Sequence, residues 1–210
     1  MGIQDMNTDM LVERAEQGDS AAVQELFSRY RAQLRRMISV HMDRRMAVRV
    51  DPSDVVQDTL VQASNKLSDY LQQRPLPFYP WLRRLASERL IQLYRHHIRS
   101  QKRSILREQT RQISLPDESV VELANQLIAS DTSPSSRFAR GQRLDQVKSA
   151  LERLATTDRE VLVLRHLEQL TVPQTAEVLG VSQSVVKTRH FRAIQRLHRL
   201  LEESSGKLEP

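Results

Sequence analysis

Apolar residues recur at intervals of three and four along most of this 210-residue chain, the period of helices that bury one face. Strand-like alternation is scarce and only five glycines occur. The expected fold class is all-α. A first helix is read from about Asp19 to Met42, with Ala22, Leu26, Tyr30, Leu34, Met37 and Ile38 on one face. Asp19 or Ser20 can cap it, and Glu25 falls in an early turn. A second opens at "DPSD", where Asp51 can cap and Pro52 takes the first helical position, and continues through Val55, Val56, Leu60 and Ala63. "RPLPFYP" breaks the chain. A third helix follows from Pro80 or Trp81 to about Arg99, with Leu82, Leu85, Leu90, Ile91 and Leu93 as its apolar positions. From about Phe138 the pattern resumes, with two helices separated by "ATTD", where Thr157 or Asp158 can cap the second.

Charge divides the chain further. Between Arg74 and Arg111 there are ten Lys or Arg against two Glu, whereas Ile113 to Ser136 holds four acids and no base. The acidic block ends in "SDTSPSS" and reads as linker, although "DESVVELANQLI" within it could form a short helix. Two small helical domains are therefore expected, at 8–101 and 138–204, joined by an acidic linker at 102–137.

In "PQTAEVLGVSQSVVKTRHF" a short helix reaches Leu179, Gly180 can take a left-handed turn, and Ser182 can cap the next helix. That is the grammar of a helix-turn-helix. Ala176 is small where two helices cross, and Leu179, Val181 and Val186 fall where the unit needs apolar contacts. Ser182, Gln183, Ser184, Lys187 and Thr188 are then left facing a DNA major groove. From Ser182 to Leu201 there are five bases and no acid. Arg189, Arg192, Arg196 and Arg199 form one basic stripe beside the apolar row Ile194, Leu197 and Leu201, as a phosphate-binding face would.

The net charge of +6 and the pI of about 10.0 agree with a polyanionic partner. The absence of cysteine removes thiol chemistry and disulfides together. The six histidines form no metal-ligand spacing, and no glycine loop could cradle a phosphate, so no catalytic residue, metal or cofactor is expected. Acids precede the first base at the N-terminus and no apolar run approaches a membrane span, so a soluble, cytoplasmic protein without membrane insertion is expected.

Three stretches together resemble the bacterial RNA polymerase sigma factors, specifically the two-domain extracytoplasmic function (ECF) type. "LERLATTDREVLVLRHLEQLTVPQTAEVLGVSQSVVKTRHFRAIQRL" resembles the family's fourth-region domain, the reader of the minus-thirty-five promoter element. "DPSDVVQDTLVQA" resembles the second-region helix that docks on the polymerase, and "FYPWLRRLASERLIQLYRHHIR" the helix that engages and opens the minus-ten element. The resemblance implies core RNA polymerase and promoter DNA as partners, and leaves open an anti-sigma factor as a third. It also implies that Asp54, Gln57 and Asp58 meet the clamp of the largest subunit. Asp51, Asp54 and Asp58 recur at about one helical turn, an acidic edge suited to a basic protein.

Arg83, Arg84, Arg89, Arg95 and Arg99 are expected to hold strand phosphates near the minus-ten element. Ser182, Gln183, Ser184, Lys187, Thr188, Arg189 and Arg192 are expected at the minus-thirty-five element. Trp81 and Leu82 are read as core; Phe78 and Tyr79 either pack the loop or lie against separated strands. The chain departs from the family pattern at Glu88 and Gln92, where Asn and Asp are usual, at His190 and Phe191, and at Thr175, where an aliphatic residue is common. The acidic linker either stands in for nucleic acid within the polymerase or is a solvated tether. An ordinary helix-turn-helix repressor would account for Thr175–Leu197 but not for the Asp51–Ala63 helix or the basic block.

Overall fold

The computed structural model describes residues 3–42, 44–99, 116–129 and 146–205, and every element among them is helical. They fall into two units that divide between Pro116 and Asp117. The first contains α1 (Ile3–Glu16), α2 (Ser20–His41), the single turn α3 (Arg44–Ala47), α4 (Pro52–Asn65), α5 (Leu67–Gln73) and α6 (Phe78–Arg99).

Asp19 caps α2, one carboxylate oxygen accepting from the amides of Ala21 and Ala22 while Arg14 holds the other at 2.6 Å. The Arg14 hydrogen bond and then the Ala22 amide keep this carboxyl below its ordinary range. The face expected from the apolar pattern is the buried one: Ala22, Leu26, Tyr30, Leu34, Met37 and Ile38, extended by Val40 and His41. α4 packs against both α2 and α6, which also touch each other, and buries Val55, Val56, Thr59, Leu60 and Ala63. Thr59 is wholly buried, and its hydroxyl donates to the Val55 carbonyl at 2.7 Å, so no polar hydrogen is stranded there.

Sequence reasoning named no helix over α1, where acids dilute the pattern. Thr8, Leu11, Val12 and Ala15 nevertheless lie on one buried face against α2, and the Thr8 and Tyr30 hydroxyls bond at 2.8 Å. α6 starts at Phe78, ahead of the expected Pro80 or Trp81, because the Trp81 amide already donates to the Pro77 carbonyl. Phe78 and Tyr79 are buried in an aromatic cluster with Phe27, Tyr30, Tyr70 and Trp81, in which Tyr70 stacks on Trp81 at 4.3 Å between ring centres. Of their two readings, packing is the one realised.

The second unit contains α7 (Asp117–Ala129), a helix α8 described over 146–153, α9 (Thr156–Leu162), a wider π-turn (Val163–Leu167), α10 (Val172–Leu179) and α11 (Gln183–Ser205). α7 is the short helix read within the linker, and it belongs to this unit: Val120 and Leu123 are buried and the helix packs on the π-turn. Residues 102–115 and 130–137 of the expected linker lie outside the described residues, Asp131 among them. Val161, Leu162, Val163 and Leu164 are all buried. Four successive inward side chains exceed what one face of a straight α-helix presents, and the π-turn is where the chain accommodates them.

The expected cap of α9 is not formed. Ala155 occupies the N-cap position without a side-chain bond, and Asp158, buried in the first turn, is instead paired with Arg196 of α11. Arg159 Nη2 donates to the carbonyls of Glu152 and Leu154 and so closes the end of α8.

After the π-turn, Gln169 adopts φ 56, a left-handed conformation that costs a residue with a Cβ about 1 kcal/mol. It is exposed. Gln169→Gly is expected to stabilise the second unit by about that amount, read as a higher midpoint in denaturant unfolding.

Candidate functional site

On α4, Asp51 is exposed and serves as N-cap: its carboxylate accepts from the Ser53 amide at 2.7 Å. That backbone bond is the main cause of its lowered pKa, and Arg35 adds to it. Asp54, Gln57 and Asp58 stand exposed on the side of the helix away from Val55, Val56 and Leu60. Val61, 57 % exposed, continues that face one turn on. Sequence reasoning passed over Val61, although it follows Asp54 by seven residues and Asp58 by three, the spacing of one helix face. The outward surface of α4 is thus an acidic edge ending in an aliphatic contact, which suits a basic protein helix better than DNA.

The arginines of α6 are not equivalent. Arg84 pairs with Glu88 one turn along at 3.1 Å, so the departure at Glu88 has a local use. Arg89 Nη2 and Nε both donate to Asp58 Oδ2, at 2.6 and 3.1 Å. Arg83 is half-buried, Arg95 and Gln92 are exposed, and Arg99 is the last residue of the helix. The chain therefore brings a residue expected at the polymerase, Asp58, against one expected at DNA, Arg89.

In the second unit the turn is built as the sequence implies. Thr171 and Gln174 form a reciprocal capping box at the start of α10, with the Thr171 amide donating to Gln174 Oε1 at 2.9 Å. Thr175, at the position where an aliphatic residue is common, is fully buried, and its hydroxyl donates to the Thr171 carbonyl at 2.8 Å. Gly180 takes φ 64 and ψ 36, and the Val181 amide returns to the Ala176 carbonyl at 3.0 Å, closing α10. Ser182 caps α11 by accepting from the Val185 amide.

Val186, Ala193 and Leu197 form the buried stripe of α11. Ser182, Gln183, Ser184, Lys187, Thr188 and Arg192 are exposed, as the pattern predicts, and Arg189 is half-buried at the edge. Helical spacing puts Ser184, Thr188, Phe191 and Gln195 along the centre of the outward face. Phe191 is 61 % exposed there, an apolar group that sequence reasoning left unassigned. Within the basic stripe, Arg196 is drawn to the buried Asp158 of α9, its own side chain remaining 55 % exposed.

His190 turns the other way. Its Nε2 lies 3.0 Å from His166 Nε2 on the π-turn, and the rings stack with planes 19° apart. Burial holds both imidazoles below the ordinary histidine range, helped for His166 by His190 and then Arg165, and for His190 by Arg165. The folded state thus binds these protons less readily than the unfolded chain does. The stability this pair contributes is complete above the unfolded value near 6.5 and is lost as pH falls below it. Melting of the second unit is expected to fall as pH is lowered below about 6.5, and His190→Leu to flatten that dependence.

Among the described residues no helix is long and apolar enough to cross a membrane. The family model described as Sigma-70, region 4 matches residues 144–197, the stretch that holds α8 to α11 up to Leu197. The RNA polymerase sigma factor CnrH of Cupriavidus metallidurans is 34 % identical over 159 residues, covering 75 % of this chain and 76 % of the relative. The RNA polymerase sigma factor NccH of Alcaligenes xylosoxydans xylosoxydans is 29 % identical over 93 % of this chain and 95 % of its own. The ECF RNA polymerase sigma-E factor of Haemophilus influenzae is 25 % identical over 91 % and 94 %. A solved structure of CnrH with the cytosolic domain of CnrY aligns with a TM-score of 0.48 at 28 % identity, over 94 % of this chain and 98 % of that one.

Proposed function

The chain belongs to the RNA polymerase sigma factors of the ECF type and directs promoter-specific transcription initiation, and from that premise we propose how its surfaces divide the work. α11 enters the major groove of the minus-thirty-five element. Gln183, Ser184, Lys187 and Thr188 face base edges, Phe191 supplies an apolar contact of the kind that recognises a thymine methyl, and Arg189 and Arg192 hold phosphates. The observation that carries this reading is the exposed face of α11 itself, which starts at a left-handed glycine, is polar at its first turn, and is free of acid as far as Leu201. Each good base contact contributes about 1–3 kcal/mol of discrimination, so a few suffice to select a promoter once phosphates have fixed the register.

In the first unit, Asp54, Gln57, Asp58 and Val61 dock α4 on the clamp of core polymerase. Arg83, Arg84, Arg89, Arg95 and Arg99 of α6 hold the strand separated near the minus-ten element, Arg84 and Arg89 after leaving the Glu88 and Asp58 carboxylates that they grip in the free chain. Unstacking a base costs a few kcal/mol, which polymerase and phosphate contacts together offset; the protein adds affinity and position, and no chemistry of its own. Its place of work is the cytoplasm, with the polymerase and the chromosome.

Run-off transcription from a library of genomic fragments, with core polymerase and with or without this chain, tests the reading. Discrete start sites are expected only when the chain is present. Their absence, together with protection of a duplex site by the chain alone, would make it a repressor-like binder instead.

A further inference from the structure

Asp58 and Arg89 are assigned above to different macromolecules, yet they hold each other across α4 and α6. Their side chains are 52 % and 33 % exposed. The two helices already pack on each other, and Val55, Val56 and Leu60 of α4 and Leu85 and Leu90 of α6 are all buried, so a half-exposed ion pair adds little to such a contact. Its weight falls elsewhere. A guanidinium that grips a carboxylate offers a phosphate little net charge, and that carboxylate offers a basic helix equally little.

We infer that the Asp58–Arg89 pair is an exchangeable latch that couples polymerase docking to DNA capture. When α4 lies on its basic partner, Asp58 turns to that partner and Arg89 is released toward a strand phosphate; a phosphate that takes Arg89 releases Asp58 in turn. The weakness of the pair is what allows both exchanges, and the coupling must be equal in the two directions. Arg89 is in this sense a positioning residue in the free chain and a phosphate ligand only in the complex. The inference rests on the docking and strand-holding roles proposed above.

Four substitutions in the full chain test it: Asp58→Asn and Arg89→Gln at the latch, with Asp54→Asn and Arg95→Gln as controls that change the same charges on the same helices. Asp58→Asn is expected to raise affinity for a single-stranded minus-ten oligonucleotide about three- to fivefold beyond Asp54→Asn. Arg89→Gln is expected to raise affinity for core polymerase by a similar factor beyond Arg95→Gln. Melting temperatures should match the wild type. Equal effects at latch and control positions would overturn the latch, as would a loss of several degrees in melting temperature, which would make the pair a structural staple. If Asp54→Asn leaves core affinity unchanged, the docking role itself fails and takes the latch with it.

Discussion

Arginine in place of Asp54 is expected to lower affinity for core polymerase by about a hundredfold or more while leaving the fold intact. Asp54 is exposed on α4, so nothing buried is disturbed. Loss of an acid from the first helical turn costs at most about 1 kcal/mol of helix stability. At a surface that meets a basic partner, the change removes an attraction and installs a repulsion, and like charges brought together across an interface cost several kcal/mol. Each 1.4 kcal/mol is tenfold in affinity. The neighbouring acids are poorer probes. Asp51 is the cap of the helix, and arginine at 58 would stand against Arg89 and disturb α6 as well. Competition with a labelled wild-type chain for core polymerase reads the effect, and an unchanged affinity would remove α4 from the docking surface.

The second large effect separates two arginines that the sequence alone makes look alike. Arg196→Ala leaves the Asp158 carboxylate, 7 % exposed, without its cation. A buried charged group deprived of its partner costs about 2 kcal/mol or more, and the pair joins α9 to α11. Unfolding of the second unit should shift accordingly, with DNA binding lost as a consequence. Arg192 is exposed and faces outward. Arg192→Ala should leave unfolding unchanged, weaken duplex binding and reduce its dependence on salt concentration, as expected for one phosphate contact fewer. The two variants are told apart by running denaturation and binding on the same samples.

What made the fold legible was periodicity over long segments. The stripe of α2, the caps at Asp19 and Asp51 and the left-handed Gly180 all follow from spacing and local stereochemistry, and the structure has them where the pattern puts them. What stayed hidden was set by partners distant in sequence. Whether Arg196 faces DNA or Asp158, 38 residues away, is decided by packing, and the same holds for His190 and His166, 24 residues apart. The pairing of Asp58 with Arg89 was hidden for the same reason, since each residue type fitted a separate surface. The acid-only charge of α7 makes its composition read as linker, whereas Val120 and Leu123 are buried and the helix falls within the second unit.

Gly180 carries a further consequence. A Cβ added to its backbone would meet no atom within 4 Å, yet its φ of 64 lies where L side chains are strained. The turn therefore selects for handedness and leaves volume free. Asparagine, which visits this conformation at low cost, is a substitution that selection can tolerate there, whereas valine of modest size is closed to it. Drift at this position should follow stereochemistry, with the aim of the reading helix preserved through changes that look drastic by size alone.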